Sequence, residues 1–211
     1  MSSRKDPEIP DKHPDVSRRG FIRGVGIGSA ALGTIALENE AQAGQTPATG
    51  LIGPGAVPIT LTVNSQTHRL NVEPRATLLE ALRDQLDLTG AKASCDRGTC
   101  GSCTVLLAGK PVYACSVLAI EAQGKPIQTI ESVPANDPLI AAMVRNDGTQ
   151  CGFCAPGMVL AAKAFLAHHP NPDEAQVAAA MGGNLCRCGA YVPIRKAIVD
   201  ASRRAKGGQN A

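Results

Sequence analysis

The chain has no tryptophan, only two tyrosines and only three phenylalanines in 211 residues. A core without large aromatic side chains has to be assembled from Ala, Val, Leu and Ile, so each helix buries little area. Strong charge of one sign is also missing. The 21 Lys and Arg are balanced by 18 Asp and Glu, for a net charge of +3. This gives no support to nucleic-acid binding. The weakly apolar stretch from Gly24 to Leu37 spans 14 residues, too few to cross a bilayer comfortably, so no stable membrane anchor is expected. There is no phosphate-binding glycine loop, no dinucleotide fingerprint, no Ser/His/Asp set and no paired catalytic carboxylates. No catalytic residues are therefore assigned, and the chain is expected to be one subunit of a larger enzyme.

What is present is eight cysteines in two groups of four. The first is Cys95-x4-Cys100-x2-Cys103, followed by Cys115. This is the plant-type spacing for a [2Fe–2S] cluster. Gly98 and Gly101 lie inside that loop, where they let the backbone wrap tightly and aim N–H groups at sulfur. The second group is Cys151-x2-Cys154 with Cys186-x-Cys188. Its segments adjoin predicted helix starts, whose unpaired N–H groups and positive partial charge suit an anionic thiolate site. Two complete four-thiolate sites leave no cysteine over, and two such sites predict electron transfer. Disulfides and a pair of zinc sites are the competing readings. Each [2Fe–2S]²⁺ core with four thiolates carries about −2, which would bring the chain to about −1.

The first 43 residues read as an export signal. Ser17-Arg18-Arg19-Gly20-Phe21-Ile22-Arg23 is very close to the twin-arginine consensus, and Ala41-Gln42-Ala43 is a small-x-small cleavage site. This predicts passage through the twin-arginine translocase, cleavage after Ala43 and a periplasmic location. A basic arm with a short helix, or an uncleaved anchor, are the alternatives. The signal also bears on the cysteines, because exported cysteines ordinarily suggest disulfides. A route that carries folded proteins lets the clusters be inserted first, in a reducing compartment.

Residues 44–56 are rich in Gly and Pro and read as a flexible leader. A first domain is expected over 57–132. Ile59–Val63 and His68–Val72 alternate as a hairpin around a turn at Asn64–Thr67. Thr77 with Glu80 predicts a capped helix closed by Gly90. Cys103–Leu107 and Val112–Cys115 predict strands around a turn at Ala108–Pro111, and Pro126–Ile130 predicts a last strand. A second, helical domain is expected over 133–205. Its helices run from Asp137/Pro138 to Arg145, from Pro156/Gly157 to His168, from Asp173/Glu174 to Met181, and from Pro193 to Arg204. Residues 206–211 read as a disordered tail.

Three stretches carry a family resemblance over roughly residues 57–205: Cys95-Asp-Arg-Gly-Thr-Cys-Gly-Ser-Cys103, Gln150-Cys-Gly-Phe-Cys-Ala-Pro-Gly-Met158 and Gly183-Asn-Leu-Cys-Arg-Cys-Gly-Ala-Tyr191. The chain resembles the small iron–sulfur subunit of the xanthine oxidase family of molybdenum hydroxylases. The export signal and Cys188-Gly-Ala-Tyr191 make it look most like the periplasmic aldehyde oxidoreductases of that family. The resemblance implies an α+β fold, with a plant-type ferredoxin-like β-grasp domain followed by a four-helix bundle, each holding a [2Fe–2S] cluster. It implies a large subunit with molybdenum–molybdopterin cytosine dinucleotide and a middle subunit with FAD. It also implies that Gln150 and Cys188 contact the pterin, so that the second cluster lies next to molybdenum and the first faces the acceptor. A small subunit of an exported N-heterocycle hydroxylase of the isoquinoline type, delivering electrons to a cytochrome, is the alternative. Ser94 and Ala155 depart from a frequent Gly and Thr, but both are small.

Overall fold

The computed structural model describes residues 55–207, all within one compact unit, Ile52–Ala211. The predicted signal, with Arg18, Arg19 and the cleavage site, lies outside the described residues.

The alternation read in the sequence becomes strands β1 (Val57–Val63) and β2 (Gln66–Val72), paired antiparallel with Ile59 opposite Leu70 and Leu61 opposite His68. Ile59, Leu61 and Val63 are buried, while Pro58 before them and Thr60 between them are exposed. The turn is tighter than the expected Asn64–Thr67. Asn64 and Ser65 alone close it, with φ of 50° and 67°. That left-handed pair follows the twist of the flanking strands, so Gln66 and Thr67 join the ladder. The Asn64 amide donates to the Thr129 hydroxyl (2.8 Å) and its carbonyl oxygen accepts from the Thr129 N–H (2.9 Å), which pins the hairpin to a segment 65 residues away.

Thr77 and Glu80 form the predicted capping box at the start of α1 (Leu78–Glu80), which widens into a π-helical turn over Ala81–Gln85. Leu78, Leu79 and Leu82 enter the core. Gly90 does not close this helix. The chain leaves it through Asp87 in the left-handed region, φ 55°. Gly90 instead permits a close approach, since its N–H donates to Glu131 Oε1 (2.7 Å) and a Cβ there would collide with Ile130.

Strands β3 (Thr104–Leu107) and β4 (Lys110–Tyr113) form a second hairpin, turned by Ala108 and Gly109 alone. Lys110 and Pro111, expected in the turn, belong to β4. The sheet order β2-β1-β5-β3-β4 explains why Pro111 is tolerated, because β4 is an edge strand. Cys115 lies beyond the strand, in a 3₁₀ turn, Ala114–Ser116. Strand β5 (Pro126–Gln128) runs parallel to β1 and antiparallel to β3, closing the β-grasp sheet.

Helix α2 (Pro138–Arg145) starts as predicted, with Asp137 accepting from the Leu139 N–H at 2.9 Å. Helix α3 (Ala155–His168) begins earlier than Gly157, with Cys154 itself as N-cap. Helix α4 (Glu174–Ala180) has a capping box between Asp173 and Gln176, and Met181–Gly183 follow as a 3₁₀ turn. Helix α5 (Tyr191–Gly207) starts two residues before Pro193 and continues past Lys206, where the sequence predicts a tail. Residues 208–211 lie outside the described residues. The sheet core is built around Leu61, Leu78, Leu82, Val105 and Ile127, and the helical core around Met158, Val177, Ala197 and Ile198. Leu106 of β3 packs with Leu160 and Ala164 of α3, joining the two.

Candidate metal centres

The first four cysteines come together from the loop before β3 and the turn after β4. Cys103 and Cys115 are buried, with Sγ atoms 3.4 Å apart. That is far beyond a disulfide bond of about 2.05 Å. It is close to the edge of about 3.7 Å between two thiolates sharing one tetrahedral metal with bonds of about 2.3 Å. All eight cysteines are free thiols. Cys95 and Cys100 form the outer pair, half-buried. The N–H groups of Arg97 and Thr99, followed by the Cys100 thiol, hold Cys95 down to about 6. Burial, with added repulsion from Cys115 and Cys100, pushes Cys103 up to about 12.

The second group repeats this arrangement. Cys154, the N-cap of α3, faces buried Cys186, and burial followed by Cys186 pushes Cys154 up to about 12. Cys151 and Cys188 form the exposed outer pair, with Cys151 lowered by the Phe153 N–H and by Cys188. The Cys154 side chain makes no capping hydrogen bond; the Ala155 N–H donates instead to the Gly152 carbonyl at 3.2 Å, and Pro156 has no N–H to cap. The Cys186 N–H donates to the Tyr191 hydroxyl at 2.9 Å, which turns the Cys-x-Cys segment back onto α5.

Each site is thus two pairs, one buried and one outer. Among the described residues, no three His, Cys, Asp or Glu side chains converge on a single-ion position. Two thiolates per metal, on two metals, is the donor set of a four-cysteine [2Fe–2S] cluster. A bound cation also removes the cost of ionising the buried pair, since a coordinating thiol is deprotonated outright. The residues fit the group.

The glycine reading holds for one position and changes for the other. Gly98, at φ 65°, aims its N–H at Cys115 Sγ (3.3 Å), as Thr99 does at Cys95 Sγ (3.4 Å). Gly101, at φ 71°, instead offers its carbonyl to the Asn184 side chain (2.9 Å) and the Thr104 hydroxyl (2.7 Å). A Cβ on Gly101 would lie 2.6 Å from both Asn184 Nδ2 and the Gly183 carbonyl. Here the two cysteine sites meet. The Leu185 N–H, one residue before Cys186, donates to the Cys100 carbonyl at 2.8 Å, and the Tyr113 hydroxyl donates to the Gly183 carbonyl at 2.7 Å. Sequence reasoning assigned no role to Asn184, Thr104 or Tyr113. The only local signal was that Asn184 stands in the Gly-Gly-Asn-Leu-Cys run. Gln150 is exposed beside Cys151, and its side-chain amide donates to Asp147 at 3.0 Å. Phe153, Leu185, Tyr191 and Val192, all exposed, flank the second group along the chain.

Comparison with known proteins agrees with this geometry. Residues 61–129 match the 2Fe-2S iron-sulfur cluster binding domain, and residues 129–199 match the [2Fe-2S] binding domain. The aldehyde oxidoreductase iron-sulfur-binding subunit PaoA of Escherichia coli (strain K12) is 37% identical over 209 residues, covering 90% of each chain. The chain belongs to the xanthine oxidase family of molybdenum hydroxylases, as an iron–sulfur subunit. Other members are similar at comparable levels. The nicotine 6-hydroxylase small subunit of Paenarthrobacter nicotinovorans is 40% identical over 147 residues, covering 69% of this chain and 89% of its own. The solved quinoline 2-oxidoreductase of Pseudomonas putida 86 has a TM-score of 0.69 at 38% identity, covering 74% of this chain and 99% of that one. Within this family the chain is an iron–sulfur electron-transfer subunit.

Proposed function

We propose that this chain is the electron-transfer subunit of an exported, molybdenum-dependent aldehyde oxidoreductase, assembled as a heterotrimer. Its partners are a large subunit with molybdenum–molybdopterin cytosine dinucleotide and a middle subunit with FAD, and it is carried by the twin-arginine translocase. Cys95, Cys100, Cys103 and Cys115 hold one [2Fe–2S] cluster, and Cys151, Cys154, Cys186 and Cys188 hold the other. Gln150 and Cys188 face the pterin. The substrate site lies on the large subunit. When bound, the clusters supply single-electron redox chemistry between the aldehyde-oxidising molybdenum site and the flavin.

The observation that carries this reading is the hydrogen bond from the Leu185 N–H to the Cys100 carbonyl. It links a ligand of one site to the residue preceding a ligand of the other. The protein's part is to hold both sets of thiolates in this fixed relation and to offer amides to the sulfurs. Donors such as the N–H of Gly98 and Thr99 stabilise the extra negative charge of a reduced cluster and raise its potential. The exposed outer pair, Cys151 and Cys188, supports placing the second site against the molybdenum subunit.

The alternative, an N-heterocycle hydroxylase delivering electrons to a cytochrome, draws support for its substrate class from the nicotine and quinoline relatives. The aldehyde reading is favoured by the PaoA match, which covers more of the chain than the described fold does. Electron paramagnetic resonance of the assembled complex decides between them. Reduction of both [2Fe–2S] signals by an aromatic aldehyde, with the signal of the Cys188 site split by Mo(V), is the expected result. Reduction only by an N-heterocycle would select the alternative. Splitting of the Cys100 site alone would reverse the order of the two clusters.

A further inference from the structure

Beside the second cysteine group lies a cavity of about 210 Å³, walled by Met158, Met181, Leu185, Tyr191 and Ile194. Small-molecule sites ordinarily occupy about 300–1,000 Å³, so this one has room for a single side chain. Arg195 is the one charged residue in its lining. The Nε of Arg195 is buried and has no hydrogen-bond partner among the described residues. A buried guanidinium donor left without an acceptor is costly, and carboxylate is the acceptor that matches its planar fork.

Among the described residues, no Asp or Glu lines the cavity. There is no Asp or Glu from Gly148 to Pro172 or from Ala175 to Val199. The next carboxylate, Asp200, is engaged by Arg145 and Arg204. Of the other polar side chains in the lining, the Asn184 amide donates to Gly101 and Thr104, and the Tyr191 hydroxyl accepts from the Cys186 N–H. Around the cavity, Leu185 and Tyr191 remain 48% and 40% exposed, and Val192 next along α5 is 48% exposed. Exposed apolar residues around a guanidinium whose buried Nε lacks an acceptor describe a protein interface with an ionic centre.

We propose that the molybdenum-bearing subunit seats an Asp or Glu side chain in this cavity, against the Arg195 guanidinium, and that this contact orients the large subunit over Cys151 and Cys188. The proposal rests on the functional reading above and names how that partner is recognised.

The test is the affinity of the cluster-loaded small subunit for the proposed large molybdenum subunit. Arg195→Gln is expected to weaken binding at least 30-fold, about 2 kcal/mol at 1.4 kcal/mol per decade. Arg195→Lys, which keeps the charge but has no Nε at that depth, is expected to weaken it at least 5-fold. The [2Fe–2S] spectra of each isolated variant separate lost affinity from lost fold. If Arg195→Gln loses the second cluster, Arg195→Lys decides. Unchanged affinity in a variant that keeps both clusters overturns the proposal. So does loss of the second cluster in both variants, because Arg195 would then hold the fold rather than the partner. If the unaltered chain binds no large molybdenum subunit, the functional reading itself fails.

Discussion

Gly101 carries a constraint that its place in a cysteine loop does not reveal. Its left-handed backbone brings its carbonyl to Asn184 and Thr104, and Gly157 at the start of α3 has no Cβ to obstruct that carbonyl. Gly101→Ala should lose about 2 kcal/mol or more from backbone strain and collision, a fall in Tm of roughly 4–8 °C. Gly109→Ala is the control. Its φ is 76° but no atom lies within 4 Å of its added Cβ, so it should lose only about 1 kcal/mol. Equal losses at the two sites, by thermal melting of the holo-protein, would remove the packing argument. A second residue-level prediction concerns Asp200, which joins α5 to α2 through Arg145 and also meets Arg204. Hydrogen bonds from Arg145, then Arg204, hold its carboxyl at about 2, below the ordinary 3.8. A depressed folded value means its contribution is complete above about pH 4 and is lost as pH falls towards 2. Asp200→Asn should therefore be less stable at pH 7, with the deficit shrinking below pH 4, as read from urea midpoints across that range.

At the scale of elements, the two halves depend on metal unequally. The sheet half has a five-stranded ladder and a core of Leu, Ile, Val and Ala side chains in which Cys103 and Cys115 are only two of the buried members. The helical half is packed largely by Ala and Met, and the segments holding Cys151, Cys154, Cys186 and Cys188 are loop, cap and turn. Half-buried Cys154 and buried Cys186 are a bare thiol pair unless a cation neutralises them. Removing iron with a chelator under reducing conditions should therefore unfold the helical half preferentially, because metal binding there is coupled to folding. The expected signature is a large loss of helical circular dichroism with amide-exchange protection kept in β1, β2 and α1. Retention of native helicity with a sharp thermal transition would contradict it.

At the scale of the whole molecule, the proposal joins export to cofactor loading. A complex that crosses folded needs a single signal, and Ser17–Arg23 is the segment proposed to supply it. Replacing Arg18 and Arg19 together by Lys should leave the loaded heterotrimer in the cytoplasm, with activity in the lysate undiminished and none in the periplasmic fraction. Full export of the double variant would end the targeting proposal.

Features that depend on a few adjacent residues were legible in the sequence. The alternation of β1, the Thr77/Glu80 and Asp137/Pro138 helix starts, and the cysteine spacings all follow from local sterics and hydrogen bonding. The errors are local too. The two hairpins close in two residues rather than four because left-handed Asn64–Ser65 and Ala108–Gly109 match strand twist, a choice that composition alone underdetermines. Tertiary structure alone decided which thiols pair: Cys95 with Cys100, Cys103 with Cys115, Cys151 with Cys188 and Cys154 with Cys186. It also decided that Asn184 and Leu185 lock onto the first cysteine loop, more than 80 residues earlier in the chain. No local pattern encodes those contacts, because they form only when the β3–β4 hairpin packs against α3 and brings distant backbone groups within hydrogen-bond reach.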